Sequence, residues 1–164
     1  MEPQATLKKK IRVLLVEDHA ISRPVVLEIL RVAGCEAQAA ENGERALALF
    51  DTQAYDLVLM DIGLPDMPGY EVTKILRKME EGTPYHVPII ALTAHASDLT
   101  KEECISSGME DVCSKPLSEK QIKIIIEQYI LSKDPLKIIR AENKSLPVIS
   151  AKYSKEVLDA LMQI

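Results

Sequence analysis

Tyr55-Asp56-Leu57-Val58-Leu59-Met60-Asp61-Ile62-Gly63-Leu64-Pro65-Asp66-Met67-Pro68-Gly69 is the stretch on which the fold turns. Its first half is a nearly continuous apolar run, too short for a helix, that stops abruptly at the carboxylate of Asp61. Its second half carries two prolines and two glycines and reads as a loop. Tyr70 to Met79 then has helical spacing. The order is strand, loop, helix, and it recurs on both sides. Upstream, Ile11 to Val16 is a β-branched-rich strand that ends at Glu17-Asp18. A helix from Ala20 to Ala33 follows, with Ile21, Val25, Ile29 and Val32 near 3.6 spacing, Pro24 in its first turns and Gly34 after it. Cys35 to Ala40 is a half-polar strand expected near an edge. Asn42-Gly43 then marks a turn before a helix from Glu44 to Thr52, whose apolar face is Ala46, Leu47, Leu49 and Phe50. Downstream, Val87 to Leu92 is a buried strand ending at Thr93, and Ser97 to Ser107 is a helix followed by Gly108. Asp111 to Ser114 is a short strand ending at Lys115-Pro116, and Ser118 caps a last helix to Leu131.

Five strand–helix repeats with near-continuous apolar strands predict an α/β, doubly wound parallel sheet covered by helices on both faces. No glycine-rich dinucleotide fingerprint follows the first strand, and no phosphate-binding G-x-x-x-x-G-K-[ST] occurs, so nucleotide-binding versions of this architecture are disfavoured. Residues 133–164 break the pattern. Asp134-Pro135 and Leu146-Pro147 interrupt them, and Ser154 to Met162 is amphipathic through Val157, Leu158 and Leu161. About thirty residues with such breaks are too few for a core of their own. The expected organisation is a leader over 1–10, one domain over 11–132, and a linker or tail over 133–164 that could open a following domain.

Length and charge bound the function. The chain has 164 residues, which fits about one domain, and 20 basic against 25 acidic side chains give a net charge of −5. No apolar run approaches the roughly 20 residues of a membrane span, and the N-terminus lacks a basic start followed by an apolar stretch. Membrane contact is not expected in this chain, and a cytoplasmic location is. Three cysteines, Cys35, Cys104 and Cys113, without CxxC spacing read as reduced thiols. An acidic chain with no Trp and one Phe is a poor tracker of nucleic acid, and Lys8-Lys9-Lys10 reads as a solvated leader.

Open parallel sheets place their sites at the carboxyl ends of the strands. There this sequence puts Glu17 and Asp18, Asp61, Thr93 and Lys115. Singly, each has an ordinary explanation: a strand-end Asp caps a turn, Glu17-Asp18 or Thr93 caps a helix, and Lys115 is a solvated charge. Together, each at the end of its own strand, they describe one site. Like charges ~4 Å apart repel by about 4 kcal/mol at an effective dielectric of ~20. Unneutralised carboxylates raise one another's pKa, and Lys115 offsets only one charge. A hard, oxygen-seeking Mg²⁺ resolves the conflict. A carboxylate can also attack phosphorus, with cation, Lys115 and Thr93 stabilising the oxygens in transit.

At Val16-Glu17-Asp18, Leu59-Met60-Asp61, Leu64-Pro65 with Gly69, Ala91-Leu92-Thr93-Ala94 and Lys115-Pro116, the sequence resembles the receiver domain of two-component response regulators, the CheY-like superfamily. The resemblance spans about Ile11 to Leu131. It implies a flavodoxin-like (βα)5 three-layer sandwich with sheet order 2-1-3-4-5. It implies Asp61 as phosphoacceptor and Mg²⁺ held by Asp18, by Asp61, by the backbone carbonyl of Gly63, and mostly through water by Glu17. Thr93 matches the switch hydroxyl and Lys115 the phosphoryl partner, with a cis Lys115-Pro116 bond. Val112 stands where the family often has a rotating aromatic, so the usual coupling of hydroxyl and ring is not expected.

The stretches Tyr55 to Asp61 and Ala91 to Ala96, Cys104 with Gly108-Met109, and Asp18 with Arg23 and Val25 resemble receivers of hybrid sensor histidine kinases. The chain is therefore read as a fragment of such a kinase, with a free-standing response regulator as the alternative. The expected donor is a phosphohistidine on a histidine kinase or histidine phosphotransfer domain. Its docking surface is expected at Ile21, Val25, Pro116 and Leu117, with Val26, Ile29 and Leu30 supplying the buried face of the same helix. No nucleic-acid partner is expected, and the fragment is expected to be a monomer or weak dimer. A haloacid-dehalogenase-like phosphatase is a distant rival, because it wants an acid two residues after the nucleophile and Gly63 stands there. His19, His86 and His95 lie on separate elements without metal spacing, although His95 falls at the mouth of the site.

Overall fold

Leu57–Asp61 is β3, and every one of its residues is buried, as a strand flanked on both sides and covered on both faces must be. In this computed structural model the described residues are 10–51 and 54–131. The other strands are β1 (Ile11–Val16), β2 (Cys35–Ala40), β4 (Ile89–Thr93) and β5 (Asp111–Ser114). They alternate with α1 (Ser22–Val32), α2 (Gly43–Leu49), α3 (Gly69–Glu80), α4 (Asp98–Ser107) and α5 (Glu119–Tyr129). Residues 1–9 of the expected leader over 1–10, and the expected linker or tail over 133–164, lie outside the described residues.

The sheet is parallel with order β2-β1-β3-β4-β5. Register places Val16 opposite Met60, Asp61 opposite Leu92, and Thr93 opposite Ser114. The ends of the three inner strands therefore lie side by side. One sheet face, Leu14, Val16, Val58, Met60, Ile89 and Ala91, packs with Ala46, Val72, Leu76 and Cys104 from α2, α3 and α4. The opposite face, Val13, Leu15, Leu57, Leu59, Ile90 and Leu92, is equally buried, so apolar residues occupy both sides of the pleat. β2 is an edge, as its half-polar sequence predicts, and β5 closes the other edge with no residue fully buried.

Local chemistry sets the helix ends. The Asn42 side chain accepts from the Arg45 N–H at 2.7 Å and Ser97 accepts from Thr100 at 3.1 Å, each an N-cap. At the end of α4 the Met109 and Gly108 N–H groups return to the Cys104 and Ile105 carbonyls, the paired bonds of a Schellman ending. Ser118 and Gln121 form a reciprocal capping box at the start of α5. α2 stops at Leu49, short of the expected Thr52. Phe50 leaves the helix in an extended conformation and its ring is buried. α1 starts at Ser22, with Ile21 at its N-cap, and buries Val26 and Leu30. Ile21, Val25 and Val32 of the evenly spaced series face outward.

The chain divides into two compact units. Lys10–Gln121 holds the sheet and α1 to α4. The described part of the other begins at Ile122 within α5, where Ile122, Ile125 and Ile126 are buried. Among the described residues no helix is long and apolar enough to cross a membrane. Cys35 and Cys104 are buried free thiols and Cys113 is a half-buried one.

Candidate phosphoacceptor site

The sheet delivers Glu17, Asp61, Thr93 and Lys115 to one edge because β1, β3, β4 and β5 end on them or on the residue before them. Glu17 directly follows β1 and is 1% exposed, Asp61 closes β3, Thr93 closes β4, and Lys115 follows β5. The Lys115 ammonium lies 3.0 Å from Glu17 Oε1 and 3.0 Å from Asp61 Oδ2, donating a hydrogen bond to the latter. The second oxygen of Asp61 accepts the Gly63 N–H at 2.9 Å, and the second oxygen of Glu17 accepts the His19 N–H at 3.0 Å. Glu17, Asp18 and Asp61 offer oxygens that lie within 4.8 Å of one another, and Asp18 is exposed. The Lys115–Pro116 peptide is cis, as expected.

Backbone bonds tie these strand ends together. The Glu17 N–H donates to the Ala40 carbonyl, Ile62 to Leu92, and Lys115 to Thr93 at 2.8 Å. Arg23 reaches back from α1 to the carbonyls of Glu17 and Asp18 at 3.1 and 3.2 Å. Gly69 seals the loop after Asp61. Its N–H bonds the Ile62 carbonyl at 3.0 Å, and a Cβ there would lie 2.6 Å from the Asp61 carbonyl oxygen, so no larger residue fits.

Burial pushes the Glu17 carboxyl up, and the neighbouring Asp61 charge adds to this, only partly offset by Lys115 and the His19 N–H. Burial also pushes Asp61 up, but the Gly63 N–H and Lys115 outweigh it, and Asp61 lies below its ordinary value. For Lys115 burial works against the charged form, while the bonds to Glu17 and Asp61 outweigh it and raise its pKa. The balance thus favours the ionised form of Asp61 beside an ammonium, while burial first, and the Asp61 charge after it, works against the ionised form of Glu17. Three clustered carboxylates with one ammonium suit a hard divalent cation that takes oxygen ligands.

The remaining predicted residues fall in different settings. Thr93 is buried, and its hydroxyl accepts the His95 N–H at 3.1 Å and donates to the His95 carbonyl at 3.3 Å. His95 itself is exposed, and Gly63 is exposed beside Asp61. Val112 is half-buried against the core. Ile21 is 73% exposed, Val25 54% exposed, and Pro116 is exposed. Leu117 corrects the expected docking surface: only 6% of it is exposed. An aliphatic side chain gains about 1.5–3 kcal/mol from burial, and here it is spent on the interior rather than on a partner-facing rim. Sequence reasoning also passed over the contacts of Asp66. Its carboxylate accepts the Gly43 and Glu44 N–H groups at 2.8 Å each, and nothing in the local pattern signals partners 22 and 23 residues away.

Comparison with known proteins agrees with this geometry. The Response regulator receiver domain family matches residues 13–127, and the chain belongs to that family. It is 38% identical over 132 residues to the sensor histidine kinase GacS of Pseudomonas protegens, covering 78% of this chain and 14% of that protein. It is 35% identical over 131 residues to the transcription factor SKN7 of Saccharomyces cerevisiae, covering 80% of this chain and 20% of that one. The chain thus spans a small part of these relatives. Among solved structures, the receiver domain of a Pseudomonas aeruginosa sensor histidine kinase superposes with a TM-score of 0.66 at 33% identity, covering 76% of this chain and all of that one. That receiver carries a magnesium ion in its active-site cleft. The Saccharomyces cerevisiae Ssk1 receiver, solved with the histidine phosphotransfer protein Ypd1, gives a TM-score of 0.69 at 29% identity, covering 76% of this chain and 91% of that one.

Proposed function

We propose that Asp61 accepts a phosphoryl group from a phosphohistidine, with Mg²⁺ at the acidic cluster. The observation that carries this reading is the Lys115 ammonium 3.0 Å from both Asp61 and Glu17 at the strand-end edge where Asp18 and Thr93 also lie. Asp61, Asp18 and Glu17 would hold the cation with the Gly63 carbonyl. When bound, it supplies the neutralisation that a phosphoryl dianion beside three carboxylates requires. Asp61 attacks phosphorus with one carboxylate oxygen, the P–O bond forms as the donor's P–N bond breaks, and the imidazole leaves with the bonding pair. Lys115 is placed to follow the phosphoryl oxygens, since it already touches the attacking carboxylate. Thr93 can exchange its bonds to His95 for one to the phosphoryl group, and Val112 offers no ring to move with it.

The receiver unit is proposed to span 11–132, with 1–10 as a leader and 133–164 as a linker or tail. The identity to GacS, and a 32% identity over 131 residues to the hybrid signal transduction histidine kinase G of Dictyostelium discoideum, support an origin in a hybrid sensor histidine kinase, for which a cytoplasmic location is proposed. The donor is proposed to be a histidine phosphotransfer domain or kinase, on the precedent of the Ssk1–Ypd1 pair. Acetyl phosphate with Mg²⁺ should label Asp61, found by mass spectrometry after borohydride trapping. Asp61→Asn should abolish the label with an unchanged circular dichroism spectrum, and EDTA should stop it. A label that survives Asp61→Asn overturns the assignment.

A further inference from the structure

The loop between β3 and α3 carries Gly63, and its distal half is fastened to a different part of the molecule. Asp66 Oδ1 accepts the Gly43 N–H at 2.8 Å and Oδ2 accepts the Glu44 N–H at 2.8 Å, while the Met67 N–H adds a bond at 3.1 Å. Together with the Asn42 cap on Arg45, this satisfies the first three N–H groups of α2. The contact is close-packed as well. A Cβ on Gly43 would lie 2.7 Å from Met67 Cγ, 2.9 Å from Val72 Cγ2 and 3.3 Å from Asp66 Oδ1.

The bonds on either side make this contact a link in a ring that Lys115 closes by touching both Glu17 and Asp61. Asp61 binds the Gly63 N–H, and the loop runs from Gly63 to Asp66. Asp66 binds the start of α2, which is separated from the end of β2 only by Glu41 and Asn42. The Ala40 carbonyl at the end of β2 accepts the Glu17 N–H at 2.9 Å. The strand ends bearing Glu17 and Asp18 are therefore joined to the Gly63 loop through Asp66. At its base the loop is pinned independently, by Gly69 on Ile62.

We propose that Asp66 is a positioning residue that fixes the Gly63 backbone against the Glu17–Asp18 pair, so that the cation site is preformed. The inference rests on the reading of this edge as a Mg²⁺-dependent phosphoacceptor site. Asp66 touches neither Asp61 nor Lys115 in the hydrogen bonds described, so its loss should weaken cation binding without altering the transfer step. In Asp66→Ala the Mg²⁺ concentration giving half-maximal labelling by acetyl phosphate should rise about tenfold, and the maximal rate at saturating Mg²⁺ should stay within about twofold. Direct Mg²⁺ titration by calorimetry should show the same weakening, and the Gly43 and Glu44 amides should exchange faster with deuterium. Asp66→Asn keeps one acceptor oxygen and should fall between. Gly43→Ala, which wedges the same contact from the other side, should reproduce the split.

The calorimetric and exchange arms separate this idea from the phosphoacceptor reading. If wild-type protein binds Mg²⁺ but Asp61 takes no label, the phosphoacceptor reading fails while the clamp is still measured. Unchanged Mg²⁺ affinity in Asp66→Ala, with the two amides deprotected, overturns the proposal and leaves Asp66 a local helix cap. A fall in maximal rate at unchanged half-saturation overturns it too. Should Asp66→Ala fail to fold, Asp66→Asn decides by the same titration.

Discussion

Lys115 shows how one side chain serves two opposed demands. It sits 3.0 Å from both Glu17 and Asp61, neutralising part of the cluster, and so competes with any cation for the same oxygens. A unit charge at such range is worth roughly 1.4–5.5 kcal/mol at effective dielectrics between ~80 and ~20. Lys115→Ala should therefore bind Mg²⁺ more tightly, by roughly tenfold in a calorimetric titration. The same variant should label poorly or fail to respond to the label, since no cation follows the phosphoryl oxygens. Weaker Mg²⁺ binding would instead mean that Lys115 orders the site. The placement of Lys115 beside Glu17 and Asp61 was legible in the sequence because strand-end positions in a parallel sheet converge without knowledge of the loops. Residues whose partners are distant, such as Asp66 with Gly43 and Glu44, were not, since no local spacing encodes a tertiary bond.

At the scale of elements, the sheet is secured at the end opposite the acidic cluster by a partly buried ion network centred on Glu80. Arg77, in the last turns of α3, donates to the Gly108 carbonyl at 2.9 Å, to Glu80 and the Val87 carbonyl at 2.8 Å each, and to Glu110 at 2.9 Å. The two carboxylates also receive the Val87 and Ile89 N–H groups at the start of β4, and Glu110 meets His86 at 2.6 Å. Glu80 is 5% exposed, so removing the guanidinium strands a carboxylate away from water. Arg77→Met should lower stability by about 3–5 kcal/mol in urea unfolding, and Arg77→Lys should recover only part because it lacks the planar fork. A loss under about 1 kcal/mol would show the carboxylates to be solvated in solution. The strands themselves were legible as short apolar runs. Their neighbours were less so. Phe50 reads as one more residue of an apolar helix face, yet its backbone turns out of α2 to bury the ring. Leu117 reads as a surface residue beside the site, yet it is buried. Periodicity records which residues are apolar, and only the packed chain decides which face each one takes.

At the scale of the whole molecule, the phosphohistidine donor proposed above has to approach Asp61 in line, and so to rest on what borders the acidic edge. α1 begins beside it, held there by the Arg23 bonds to the Glu17 and Asp18 carbonyls. Val26 and Leu30 satisfy its buried face, which leaves Ile21 at 73%, Val25 at 54% and Val32 at 56% exposure. Ile21 and Val25, four residues apart at the start of α1, are the part of this exposed apolar set proposed as the donor contact. Pro116 borders the same edge from the loop after β5, while Leu117 is withdrawn into the interior. Ile21→Asp would place a desolvated charge in a donor interface and should slow phosphotransfer from a phosphorylated histidine phosphotransfer protein at least tenfold, with a Kd weakened by several kcal/mol. Labelling by acetyl phosphate should be nearly unchanged, because a small donor needs no docking and Ile21 is mostly in water already. Loss of both reactions would mean that the substitution disturbs α1 and the carbonyls Arg23 holds. Equal retention of both would move the docking surface away from α1, toward the loops after β4 and β5 that frame the other side of Asp61.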